Sequence, residues 1–194
     1  MAPLRSFVCN FTELVDSATA ENAVLTRGHE LLEELVGDDG WLPDDYAVAR
    51  SDRYAQYLLH CDPRERFSMV SFVWEPGQRT PVHNHTVWGL VGMLRGEEQS
   101  EEYELREGLP VGTGKSQVMK PGDVEAVSPT IGDWHRVANS SGEVSISIHV
   151  YGGNVGALRR SRLDEETGRL VDFVSGYDNP ATPNIWGKPA PTPC

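Results

Sequence analysis

Three kinds of residue are scarce in this 194-residue chain, and each scarcity removes a class of protein. Cysteine occurs only as Cys9, Cys61 and Cys194, an odd number set far apart with no CxxC pair. That excludes a disulfide framework and a thiolate metal site. Cys61 reads as a small buried apolar residue and the terminal Cys194 as exposed. Basic residues number 17 against 29 acidic ones, a net charge of −12, and they are scattered. Nucleic-acid binding needs clustered Lys and Arg to neutralise phosphates, so no nucleic-acid partner is expected. Long apolar runs are missing too: none approaches the roughly 20 residues of a membrane-spanning helix. Met1-Ala2-Pro3-Leu4-Arg5-Ser6 leads into mixed polar sequence rather than a signal-peptide core, so the expectation is a cytoplasmic protein with no membrane partner.

What is present divides into two textures. Residues 1–50 read as helical. Asn10 followed by Glu13 resembles a capping box that opens a helix over Phe11–Ala20. A second helix is expected over Ala23–Val36, with Leu25, Leu32, Leu35 and Val36 near one face and Gly37 ending it. From Tyr54 the texture changes to short apolar runs bounded by Gly, Pro and Asp. Phe67–Trp74, Val87–Leu94, Val124–Val127 and Val144–Tyr151 are strand candidates. Turn chemistry stands at Glu75-Pro76-Gly77, Gly108–Gly114 and Lys120-Pro121-Gly122-Asp123. Such spacing suggests a sandwich or closed barrel over about residues 54–175. Residues 178–194 carry five prolines and read as an irregular wrap or a loose tail. No internal repeat or second domain is visible, so residues 1–194 are expected to form one domain.

The stretch Val82-His83-Asn84-His85 carries the strongest chemical signal. Alternate residues of a strand share a face, so His83 and His85 project together and both imidazoles could reach one ion. His135 lies on a later strand candidate and could complete a triad. Gly77, His83, His85 and Gly96 stand at the spacing of the first cupin motif. Pro129, Gly132, His135 and Asn139 resemble the second, with one extra residue between Pro129 and Gly132. The resemblance implies a mainly β fold: a double-stranded β-helix (jelly-roll) barrel preceded by helices. The glutamate that commonly follows the histidine pair is absent, and Gly89 stands in its place. Three imidazoles without a carboxylate suit iron, zinc, copper or nickel better than manganese or magnesium. They leave the double charge of an ion uncompensated, which favours a substrate that binds as an anion, such as a thiolate.

In Ser147-Ile148-His149-Val150-Tyr151 the three polar residues alternate with aliphatic ones. On a strand they share a face and can pass hydrogen bonds along it, while Ile148 and Val150 face the core. With the three histidines, this run makes residues 54–160 resemble the thiol dioxygenases of the cysteine dioxygenase type. The resemblance implies an Fe(2+) cofactor, a small thiol carboxylate and O2 as partners, and a thiol oxidised to a sulfinic acid. It makes Tyr151, backed by His149 and Ser147, the candidate for steering substrate or oxygen. Two positions resemble the bacterial 3-mercaptopropionate dioxygenases. Leu90 stands where a crosslinking cysteine is found in animal enzymes, and Gln56 where they have a substrate-binding arginine. The resemblance then places the substrate carboxylate between Gln56 and a later arginine, Arg160 or, alternatively, Arg159. Trp74, Trp88, Trp134 and Met93 are candidates for lining the pocket, although each reads more simply as barrel core. A cysteine dioxygenase proper and a non-catalytic ligand-binding cupin are the competing readings.

Overall fold

The computed structural model describes residues 1–18 and 20–187. Cys194 and the last part of the proline-rich segment lie outside them. Two helices come first, α1 (Ala2–Ser17) and α2 (Glu21–Val36), then a short 3-10 turn at Asp44–Tyr46. Ten strands follow: β1 (Ala55–Cys61), β2 (Ser68–Trp74), β3 (Gly89–Arg95), β4 (Glu98–Arg106), β5 (Leu109–Met119), β6 (Val124–Val127), β7 (Trp134–Asn139), β8 (Ser145–Tyr151), β9 (Arg160–Asp164) and β10 (Arg169–Phe173).

β1, β2, β8, β3 and β6 pair in that order into a five-stranded antiparallel sheet. β5, β4 and β7 form a second sheet, and β9 and β10 a hairpin. The segment 79–84 joins these last two. Arg79 bridges Ala138 on β7, and His83 bridges both His135 on β7 and Arg162 on β9. Backbone bonds from Thr80 N to Val137 O (2.9 Å) and from Leu163 N to Val82 O (2.8 Å) continue the join. The result is two antiparallel layers facing each other, the double-stranded β-helix expected from the motifs.

The alternation in β8 sorts its side chains as expected, with the polar three on one face and the aliphatic residues on the other. Ile146, Ile148 and Val150 do enter a hydrophobic core, but that core lies outside the barrel. It is the layer between the five-stranded sheet and the helices, where Leu4, Phe7 and Phe11 of α1 and Leu32 and Leu35 of α2 are buried with Leu90 and Leu94. Each such side chain contributes about 1.5–3 kcal/mol on burial. α2 sits close because β3 offers Gly92: a Cβ there would stand 2.9 Å from Leu32 Cγ. The helices therefore cover the barrel, and none of their residues lines the cavity described below.

Two local expectations need correction. α1 starts at Ala2 rather than Phe11, and Asn10 and Glu13 lie within it. Pro3 stands in its first turn, where the absent N–H costs no hydrogen bond, and Leu4, Phe7, Val8 and Phe11 form its buried face. Gly108–Gly114 is not one turn. Only Glu107-Gly108 turns, with φ of 52° and 82°, a two-residue hairpin with both central residues left-handed. The rest belongs to β5, which is polar and mostly exposed and so carries no apolar alternation to read.

Candidate metal centre

His83 and His85 do not occupy a regular strand, as the alternation argument assumed. His83 makes a bridge with His135, N to O at 3.0 Å one way and 3.1 Å the other. His85 lies in the loop beyond it. Side chains pin that loop. Asn84 Oδ1 accepts from Ser161 N (2.8 Å), and the Asp133 carboxylate accepts from the backbone of His85 (2.8 Å) and Thr86 (3.2 Å). Thr86 adopts a left-handed φ of 63° that turns the chain away.

The three imidazoles converge all the same. Their ring centroids stand 4.7–4.9 Å apart, and one donor nitrogen from each lies within 4.8 Å of the others. All three are buried. His83 Nδ1 meets Pro81 O at 3.0 Å, which makes Nδ1 the donor and leaves Nε2 a lone pair. His85 Nδ1 faces Asp133 O (3.2 Å) and Oδ1 (3.1 Å), and its Nε2 is buried with no partner. His135 Nδ1 is likewise buried and unpartnered. Burial, reinforced by His85, pushes His83 down to about 3. Burial, with His85 and His83, also holds His135 well below the ordinary histidine range. Buried imidazoles, two of which carry a buried nitrogen with no partner, are what a metal ion would bind, so the residues fit a bound ion. Asp133, unremarked in the sequence although two residues before His135, is an outer partner of this set. Asp133→Ala is expected to weaken metal affinity roughly 10- to 100-fold. Competition with a chelator measures this, and unchanged affinity would remove Asp133 from the site.

The absent carboxylate has a steric reason. A Cβ on Gly89 would stand 2.8 Å from Tyr151 Cδ1 and 3.0 Å from Val127 Cγ2. The Tyr151 ring, stacked 5.4 Å from His85, thus fills the space a side chain at position 89 needs. Gly89→Ala is expected to displace that ring. Metal content should persist while kcat falls about ten- to a hundredfold. A kcat at the parent level with the alanine in place would show that the position of the ring is immaterial.

Tyr151 ends a hydrogen-bonded chain on the inward face of β8. Ser147 Oγ meets His149 Nε2 at 2.9 Å, and His149 Nδ1 meets the Tyr151 hydroxyl at 2.7 Å. Trp74 Nε1 donates to Ser147 Oγ at 3.3 Å. Burial holds His149 well below its usual range and raises Tyr151, so the one is neutral and the other a phenol.

His83, His135, Trp74, His149 and Tyr151 border a cavity of about 430 Å³ that also reaches Gln56 and Arg160. Arg160 is buried. Its Nη2 donates to Ser175 Oγ (2.8 Å), its Cζ lies 4.6 Å from the Phe173 ring, and its Nε has no partner. Burial lowers its pKa. Arg159 points away, with a 77% exposed side chain paired to Asp172 at 3.3 Å. Arg53, Arg162 and Tyr54 also line the cavity and carried no recognisable signal in the sequence. Among the described residues no carboxylate lines it, so a chain of net charge −12 here presents three guanidinium groups, of which Arg53 is paired with Asp178. Of the four further lining candidates only Trp74 reaches the cavity. Trp88 packs against the helix-covered core, Met93 lies with Val91 and Met119, and Trp134 borders a separate recess. No helix among the described residues is long and apolar enough to cross a membrane.

No protein-family model matches the chain. Among solved structures it is similar to an uncharacterised conserved protein with a double-stranded β-helix domain from Klebsiella pneumoniae. The two are 21% identical over 61% of this chain and 95% of that one, with a TM-score of 0.48. It is similar to an RmlC-like cupin protein from Desulfovibrio desulfuricans at 20% identity, over 55% of this chain and 89% of that one, TM-score 0.40. It is also similar to an oxalate oxidase at 18% identity, over 60% of this chain and 61% of that one, TM-score 0.46. The order and pairing of this chain's own strands assign it the double-stranded β-helix fold.

Proposed function

We propose that the protein is a non-haem iron(II) thiol dioxygenase that converts 3-mercaptopropionate and O2 to 3-sulfinopropionate. One observation carries this reading: the cavity that adjoins the three-histidine cluster is lined by His83 and His135, by a phenol held by a hydrogen-bonded chain, and by a buried arginine with no carboxylate partner among the described residues. When bound, iron(II) supplies the redox chemistry that dioxygen needs and favours the thiolate over the thiol.

The chain's own residues hold the other reactant in place. Arg160 takes the substrate carboxylate in a charge-assisted pair, and the Gln56 amide assists it. Its thiol end then points toward the histidines, so orientation is fixed before reaction. Phe72, Trp74 and Phe173 wall the cavity with apolar surface that keeps water out. Tyr151, oriented by His149 and Ser147, presents its hydroxyl to the reacting end. L-Cysteine would bring an ammonium group beside Arg160 and Arg162 with no carboxylate lining the cavity to pair it, which favours the deaminated thiol.

The chemistry adds both atoms of O2 to one sulfur, with no other oxidant or reductant. With isotopically labelled dioxygen, mass spectrometry should find two labelled atoms in the sulfinate. Disulfide and hydrogen peroxide in its place would overturn the assignment.

A further inference from the structure

Glu98, the first residue of β4, reaches across the barrel interior to β8 and is 1% exposed. Ser145 Oγ donates to its Oε1 at 3.0 Å. Its Oε2 is buried with no hydrogen-bond partner, and Ser147 stands two residues beyond Ser145 on the same inward face of β8. A buried carboxyl must either be neutral or meet a compensating charge, and none faces it among the described residues. Met119 and Asn139 are its cross-strand neighbours on β5 and β7, and Ser145 and Ser147 face it from β8. The nearby charged residues Glu97 and Lys120 pair with each other at the surface, 3.6 Å apart. The next titratable group along the chain is His149.

We propose that Glu98 is a positioning residue at the head of the chain, and that the proton on its carboxyl sets the direction in which Ser147, His149 and Tyr151 donate. Hydrogen-bond capacity allows two arrangements. With Glu98 protonated, its O–H donates to Ser147 Oγ, and Ser147 donates to His149 Nε2. His149 then carries its proton on Nδ1 and donates to the Tyr151 oxygen, which frees the Tyr151 O–H to donate into the cavity. With Glu98 ionised, Ser147 donates to the carboxylate, His149 donates from Nε2 to Ser147, and Tyr151 donates back to His149 Nδ1. Ser147 has room for the Trp74 N–H in both cases. Passing from the first arrangement to the second takes one proton from Glu98 and delivers one from Tyr151 to an acceptor in the cavity, each intervening group losing one proton and gaining one. Burial pushes the Glu98 carboxyl up to about 8, against the lowering effect of Ser147 and Ser145, so both arrangements lie within reach near neutral pH.

The inference rests on the proposed function only in taking Tyr151 to serve the cavity, and its test needs no turnover. Nitrogen-15 NMR of the histidines, in the full chain with zinc(II) added, reads the tautomer of His149. The expected result is Nδ1–H at low pH and Nε2–H at high pH, with the change centred at about 8. Glu98→Gln puts an amide that does not titrate at this position, so His149 should keep a single tautomer at every pH. Ser145→Ala removes a bond that favours the carboxylate, so the midpoint should move to higher pH. A tautomer that ignores pH in the parent, a change that survives in Glu98→Gln, or an unmoved midpoint in Ser145→Ala would each overturn the proposal. Should Glu98→Gln fail to fold, the Ser145→Ala midpoint decides. If thiol oxidation is observed, kcat should fall above the same pH in the parent and not in Glu98→Gln.

Discussion

Replacing His135 by alanine is expected to leave a folded protein that holds no stoichiometric metal and turns over less than about a hundredth as fast. Loss of even an outer partner of a metal ligand costs roughly 10- to 100-fold, and His135 is one of only three inner groups. The backbone bridge to His83 does not need the imidazole, so the bridge should survive the substitution. The substitution also removes a buried nitrogen that has no partner, an arrangement that costs about 1–3 kcal/mol. That relief works against the cavity the alanine leaves, so the metal-free variant should melt close to the metal-free parent. The two should part when metal is added. At 100 times its dissociation constant an ion stabilises the parent by about 2.7 kcal/mol, and it should leave the variant unmoved. A variant stabilised as much as the parent would show that the ion binds elsewhere.

Arg160→Met should have the second largest effect. A hydrogen-bonded charge pair with the substrate carboxylate is worth about 1.5–3 kcal/mol, so kcat/KM for 3-mercaptopropionate should fall roughly 10- to 150-fold. The loss should fall mainly on KM, because the carboxylate is remote from the reacting sulfur. With 2-mercaptoethanol, which has no carboxylate, parent and variant should be nearly equal. Arg160→Lys keeps the charge without the planar fork and should lie between them. Arg159→Met should change little, since that side chain is exposed and paired to Asp172. Stability runs the other way. Arg160 is desolvated with an unsatisfied Nε, so the methionine variant should melt no lower than the parent. An equal loss with both thiols would assign Arg160 to the architecture of the cavity rather than to the carboxylate.

The parts of this site legible in the sequence follow short-range rules. Ser147, His149 and Tyr151 lie on one strand, and a period of two puts them on one face. His83, His85 and His135 are recognisable by residue type and by the glycines around them, although a pinned loop rather than a strand presents the first two. What stayed hidden depends on contacts between distant segments. Arg53, Tyr54 and Arg162 reach the cavity from segments that only the folded barrel brings together. Glu98 looks like one acidic residue among 29, and only the closure of β4 over β8 desolvates it. Gly89 reads as a lost ligand until Tyr151 is seen to occupy its space. β5, β9 and β10 went unrecognised because much of their surface faces solvent and they lack an apolar stripe. α1 was displaced by a spurious capping box when the better signal, Pro3 ahead of a helical apolar face, stood closer to its true start.

The most direct test is oxygen consumption by the iron(II)-loaded protein, given 3-mercaptopropionate and then L-cysteine at matched concentrations. Uptake that is much faster with 3-mercaptopropionate is the predicted result. Faster uptake with cysteine would contradict the substrate assignment, and no uptake with either thiol would contradict the dioxygenase itself.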